Sequence, residues 1–198
     1  MKILAFVDLH GSSKALKKLK ENAKKADILV CAGDISIFEN ELDGLLYKLD
    51  KIGKLLLIIP GNHEDDVDLS ELSKLFDNIT DIHKKSYVID DYLFLGYGGG
   101  GFSMVDGDFE KLSKKFEKEI NKNIGKKVIL VTHAPPYKTK LDDIMGEDCG
   151  NKTIKNFIKK VKPDLAIAGH IHENAGKEDK IGNTKVINPG PSGKIISI

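Results

Sequence analysis

Three times before Pro60 the chain passes through a short, almost unbroken apolar stretch: Lys2 to Val7, Ile28 to Ala32 and Leu55 to Ile59. None of the three alternates apolar with polar residues, so each reads as a strand buried on both faces. The segments between them carry apolar residues at helical spacing. Ala15, Leu16, Leu19 and Ala23 follow a cap at Ser12 or Ser13, and Leu42, Leu45, Leu46 and Leu49 lie within residues Glu41 to Lys51. The order β-α-β-α-β specifies a parallel sheet with helices on its faces. In such sheets ligands bind just beyond the carboxyl ends of the strands.

The middle of the chain turns antiparallel. Ser86 to Ile89 and Tyr92 to Leu95 flank Asp90-Asp91 as a hairpin, and a four-glycine loop, Gly98 to Gly101, follows. No P-loop lysine accompanies these glycines, so the loop is expected to supply flexibility rather than a phosphate cradle. Phe109, Leu112, Phe116 and Ile120 mark an amphipathic helix, and Val128 to Val131 another buried strand. Residues Tyr137 to Asn151 show no period and are expected to form a long loop over the strand ends. Asn151 caps a helix bearing Ile154, Phe157, Ile158 and Val161, and Asp164 to Ala168 returns as a strand. Lys177 to Ile181 and Thr184 to Asn188 form a hairpin around Gly182-Asn183, and Lys194 to Ile198 is the last strand. With 198 residues, no internal repeat and no linker, residues 1–198 are expected to form one domain containing two sheets.

What sits at the strand ends is polar and specific. Of the six histidines, His10, His63, His133, His170 and His172 lie just past expected strands, joined by Asp8, Asp34 and Asn62. In extended chain His170 and His172 point to one side and can serve two ions side by side. Imidazole, carboxylate and amide donors without thiolate suit zinc, iron, manganese or nickel at an open catalytic site, not a closed cysteine-rich zinc site. Cys31 and Cys149 are far apart in sequence and are expected as free thiols. His83 belongs to no motif and is expected at the surface. The formal net charge of +1 calls for neither nucleic acid nor an acidic membrane. All 31 basic residues are lysine, so no arginine fork is present to grip phosphate. The opening apolar run is too short for a signal segment and no later run approaches membrane length, so a soluble, cytoplasmic protein without a membrane partner is expected.

These residues fall in a recognisable order: Asp8-Leu9-His10, Gly33-Asp34, Gly61-Asn62-His63-Glu64, His133 and Gly169-His170-Ile171-His172. The set resembles the calcineurin-like metallophosphoesterases, whose pattern is D-x-H, G-D, G-N-H-[DE], a lone histidine and G-H-x-H. The resemblance implies an α/β fold, a four-layer αββα sandwich of two mixed β-sheets flanked by helices. It also implies two divalent metal ions (manganese, iron, nickel or zinc). By the same resemblance Asp8, His10 and His172 hold one ion, Asn62, His133 and His170 the other, and Asp34 bridges both. His63 stays unligated and faces the substrate. The protein serine/threonine phosphatases of this superfamily extend Gly-Asp to G-D-x-V-D-R-G. Here Gly33-Asp34 runs into Ile35-Ser36-Ile37, and arginine is absent, which disfavours that substrate class.

The expected reaction is hydrolysis of a small phosphodiester, with monoesters a lesser alternative, by in-line attack of a hydroxide shared between the two ions. His63, as imidazolium, is expected to stabilise the growing charge and protonate the leaving oxygen. Lys138, and Asn151 at a helix start, are candidate contacts for further anionic groups, alongside Asn62 and His63. Two readings compete: a non-catalytic metal-binding scaffold with a protein partner, and a small nuclease. Every ligand position is filled, which favours the enzyme over the scaffold. A nuclease would need a basic groove that sequence does not show. The sequence leaves nucleic acid as a substrate open, and does not choose between a monomer and a dimer.

Overall fold

Within the apolar strands a finer alternation decides the layering. In a computed structural model, which describes residues 1–65 and 67–198, strand β1 is Lys2–Phe6. Leu4 and Phe6 of this strand face one apolar cluster, whereas Ile3 and Ala5, with Val7 just beyond, face another. The first cluster packs β1, β2 (Ile28–Cys31) and β3 (Leu56–Ile58) against helices α1 (Ser13–Ala23), α2 (Leu42–Asp50) and α3 (Leu69–Ser73). Strands β1, β2, β3 and β4 (Ile79–Asp81) run parallel.

The second sheet begins with β5 (Lys85–Ile89) and β6 (Tyr92–Tyr97), the expected hairpin. Helix α4 (Gly107–Lys122) leads to β7 (Lys127–Thr132), parallel to β6. Two short strands follow, β8 (Asp143–Ile144) and β9 (Glu147–Asp148), then α5 (Lys152–Val161) and β10 (Leu165–Ile167). The hairpin β11 (Glu178–Ile181) and β12 (Thr184–Ile187) closes this sheet. Strand β13 (Lys194–Ser197) crosses back to pair antiparallel with β1. The sheet orders are β13-β1-β2-β3-β4 and β11-β12-β10-β7-β6-β5.

Ile129, Val131, Leu165 and Ile167 meet Ile3, Ala5, Val30 and Leu57 between the sheets. On the far side, Leu93, Leu95, Leu130 and Ala166 meet Phe109, Phe116, Phe157 and Ile158 of α4 and α5. The layers are therefore helices, mixed sheet, mixed sheet, helices, the expected αββα order. Among the described residues, no helix is long and apolar enough to cross a membrane.

Three local expectations need correction. The segment Tyr137 to Asn151 is not structureless, because β8 and β9 pair antiparallel within it. The buried Asp142 carboxylate organises the rest, accepting the N–H groups of Lys138, Thr139 and Gly150 at 2.7–2.9 Å. The Gly98 to Gly101 loop is pinned. Gly98 N–H donates to His83 Nδ1 (2.9 Å) and Gly99 N–H to the Pro60 carbonyl (3.1 Å). A Cβ at Gly98 would stand 2.2 Å from that carbonyl oxygen, so glycine is demanded by close approach rather than by mobility. His83, in turn, is half-buried and stacked on Tyr97, not a free surface residue. Cys31 and Cys149 are free thiols.

Candidate metal centre

The parallel strands deliver their polar C-terminal residues to one end of the sandwich. Asp8 and His10 follow β1, Asp34 follows β2, Asn62 follows β3, His133 follows β7, and His170 and His172 follow β10. Four of these leave their strands in left-handed backbone: Asp8 (φ 55°), His10 (φ 44°), Asp34 (φ 52°) and His170 (φ 71°). That conformation is uncommon for residues with a Cβ, and it concentrates at functional sites. Here it turns successive side chains sharply back over the strand ends.

All seven candidate ligands are brought together, in two overlapping groups. Donor atoms of Asp8, His10, Asp34 and His172 lie within 4.8 Å of one another, as do those of Asp34, His133 and His170. Asp34 belongs to both, its Oδ2 3.8 Å from His10 Nε2 and 3.3 Å from His133 Nε2. Asn62 joins the second group, its Oδ1 3.0 Å from His133 Nε2 and 2.9 Å from His170 Nδ1.

The donor chemistry fits cations. His10 Nδ1 lies 3.0 Å from the Ser36 carbonyl and His133 Nδ1 2.9 Å from the Ala32 carbonyl. In each neutral ring Nδ1 is then the N–H, which leaves Nε2 with a lone pair directed into the site. His10 Nε2 then faces His172 Nε2 at 2.9 Å, and His133 Nε2 faces oxygens of Asp34 and Asn62. Lone pairs crowded this way repel unless a proton or a cation lies among them. Two buried atoms here, Asp8 Oδ2 and His170 Nε2, make no hydrogen bond among the described residues. Buried polar atoms are seldom left so, and a coordinated ion would satisfy Asp8 Oδ2, whereas His170 meets Asn62 through Nδ1 and turns Nε2 toward the Gly101 side.

The electrostatics agree. Burial pushes the Asp8 carboxyl up, only partly countered by His133 and His172. Burial also works against Asp34, but its hydrogen bond to His133 and that ring's charge bring it down to about 2. His133 is lowered by burial yet raised overall by Asp34. Burial and the neighbouring His133 push His170 down to about 4, which keeps it a neutral donor at ordinary pH.

His63 stands beside this cluster, its ring 4.9 Å from that of His10. Its Nδ1 accepts the Phe38 N–H at 3.2 Å, so the ring carries its hydrogen on Nε2. The imidazolium expected from sequence would give up this bond. Lys138 and Asn151 are engaged elsewhere. The Lys138 ammonium is 3.8 Å from the Asp148 carboxylate, and Asn151 is buried, capping α5 at Ile154 N–H and donating to the Ser103 carbonyl.

The residue whose role the sequence reading did not see is Glu64. Its buried carboxylate accepts the N–H groups of Asp34 (2.9 Å), Ser36 (2.9 Å) and Gly61 (3.0 Å), and the Ser36 hydroxyl (2.8 Å). It thereby ties the loop after β2 to the loop after β3, and Asp34 Oδ1 returns the link by accepting His63 N–H at 3.0 Å. The signal was present: an acidic residue beside Asn62-His63 is the fourth position of the motif, but its inward direction is a matter of the 3₁₀ turn Asn62–Glu64.

A two-sheet α/β sandwich with a histidine–carboxylate cluster at its strand ends defines a class of metal-dependent hydrolases. The model of the calcineurin-like phosphoesterase family matches residues 1–174, and the chain belongs to that family. It is 35% identical over 201 residues to protein MJ1162 of Methanocaldococcus jannaschii, covering 96% of this chain and 88% of that one. It is 28% identical over 178 residues to a probable glycerophosphodiester phosphodiesterase, GpdQ, of Arcobacter nitrofigilis, covering 84% of this chain and 64% of that protein. The crystal structure of TT1561 of Thermus thermophilus shares the fold, with a TM-score of 0.74 at 18% identity over 96% of this chain and 90% of the other.

Proposed function

We propose that the protein hydrolyses small phosphodiesters at a dinuclear metal centre. Asp8, His10 and His172 hold one divalent ion, Asn62, His133 and His170 the other, and Asp34 both. The observation that carries this reading is the overlap of the two donor groups at Asp34, with Asp8 Oδ2 buried in the first group without a partner among the described residues. Such ions, when bound, act as Lewis acids on phosphoryl oxygens and lower the pKa of water.

The chain's own residues do the rest. The Ser36 and Ala32 carbonyls fix the tautomers of His10 and His133, and Glu64 fixes the spacing of the Asp34 and Asn62 loops. His63 acts on the leaving oxygen as the imidazolium, a form in which Nδ1 lets go of the Phe38 N–H and which returns to neutral imidazole once the proton is given. With no arginine to match the second charge of a monoester, a diester is the better substrate. The likeness to a probable phosphodiesterase supports the same choice.

The test is kcat/KM of manganese-loaded protein on bis(p-nitrophenyl) phosphate and on p-nitrophenyl phosphate. The diester should be the faster. A clear monoester preference would overturn the substrate choice, and inertness toward both after loading with manganese, nickel or zinc would overturn the enzyme.

A further inference from the structure

Two loops beside the metal centre hold large apolar side chains out in solvent. Phe38 is 78% exposed and Phe102 64%, with Ile37, Met104 and Val105 also exposed next to them. Scattered exposed apolar residues are ordinary, but these two rings both touch histidines of the site. Phe38 packs edge-on to His63, ring centroids 4.5 Å apart, and Phe102 edge-on to His170 at 4.4 Å. Each phenylalanine therefore flanks the cluster from its own loop.

Neither ring is loosely hung. Phe38 sits in left-handed backbone (φ 46°), a strained choice for a bulky residue, and its N–H is fixed on His63 Nδ1. The loop bearing Phe102 is anchored by the Gly98 and Gly99 bonds already described. It is held further by the Asn151 amide on the Ser103 carbonyl (2.8 Å) and by Lys152 N–H on the Met104 carbonyl (2.8 Å). So Asn151, read from sequence as a phosphate contact, holds the ring-bearing loop instead. Two exposed aromatic rings, each in contact with a histidine of one cluster, form apolar surface that a ligand of that cluster would meet.

Resting on the phosphodiesterase reading above, we infer that Phe38 and Phe102 are specificity-determining residues for a flat heteroaromatic group, of the nucleobase kind, carried on the phosphate. Two largely exposed rings on separate loops beside the histidine cluster suit a planar group, whose stacking does not require an enclosing wall. A flexible alkyl chain would need a continuous apolar groove to offset its ordering entropy.

Three diesters with one leaving group test this: the p-nitrophenyl esters of thymidine 5′-phosphate, methyl phosphate and octyl phosphate, each on the manganese-loaded full chain. The thymidyl ester should exceed the methyl ester in kcat/KM by roughly 5- to 150-fold, the range alanine substitution gives for base stacking. Phe38→Ala and Phe102→Ala should each lower the thymidyl-to-methyl ratio several-fold, and Phe38→Tyr and Phe102→Tyr should restore it. Calorimetry supplies a readout free of turnover, with thymidine 5′-monophosphate binding more tightly than methyl phosphate and losing that margin in both alanine variants. A ratio near one, an octyl ester faster than the thymidyl ester, or ratios unmoved by the alanine substitutions would overturn the inference while leaving the phosphodiesterase reading intact. If no ester is cleaved, that reading falls, and the calorimetric margin alone decides whether the rings bind a base.

Discussion

Glu64 and His63 are neighbours in sequence with opposite tasks, one holding the site together and the other facing out of it. Gln at position 64 would set an amide N–H₂ against backbone N–H donors that now share a carboxylate. Bonds to a buried charge are worth more than neutral ones, so Glu64→Gln should cost about 2–3 kcal/mol of stability. Urea unfolding of metal-free protein measures this, and elemental analysis should show less metal retained, because the Asp34 and Asn62 loops lose their common tether. For His63 the discriminating variable is the leaving group. A nitrophenolate departs readily without help, whereas an alkoxide does not. His63→Gln should therefore cost about 10²–10⁴-fold on alkyl esters, visibly less on nitrophenyl esters, and nothing in metal content. Equal losses on both, or metal lost with activity, would assign His63 to holding the Phe38 turn instead.

At the scale of elements, the glycine loop and its support show how far sequence reasoning reached. Strands with unbroken apolar runs and helices with strong periodicity were legible, because burial acts on every residue of such an element. So was the gathering of the candidate donors, because each follows a strand and those strand ends share one end of the sandwich; their division between two ions came only from the family resemblance. The short α3 and β4 were not legible, being too brief for a period to emerge. Nor was the pairing of His83 with Gly98, a contact between residues 15 apart in sequence whose geometry depends on the β5–β6 hairpin. That pairing has a pH signature. Burial first, then the charge of Lys84, brings His83 from an ordinary 6.5 down to about 4. A depressed folded-state value means the unfolded chain takes up the proton first. The stability associated with neutral His83 is then complete above pH ~6.5 and is lost as pH falls toward ~4. His83→Gln, which keeps an acceptor but cannot titrate, should flatten the pH dependence of unfolding in that window by up to one proton. The comparison belongs to metal-free protein, where the two chains share every other titrating group.

Over the whole molecule, cation binding and folding are one equilibrium seen from two sides. An ion at 100 times its Kd adds about 2.7 kcal/mol to a protein whose unfolded form does not bind it. For a chain of this size that is a rise in Tm of roughly 5–10 °C. Scanning calorimetry with manganese and then with chelator reads it directly. Asp34→Ala should abolish most of the shift, since both donor groups include Asp34. Where the donors come from adds something further. Asp8, His10, Asp34 and Asn62 leave strands of the first sheet, whereas His133, His170 and His172 leave strands of the second. Each group of the pair draws on both. A half-assembled chain with one sheet formed therefore owns no complete coordination set, and an ion meets its full complement of donors only after the sheets have closed on each other. On the proposed ligand assignment, metal capture acts as a latch on the finished sandwich rather than a seed for it, and bound metal would be a census of molecules whose two halves are correctly docked.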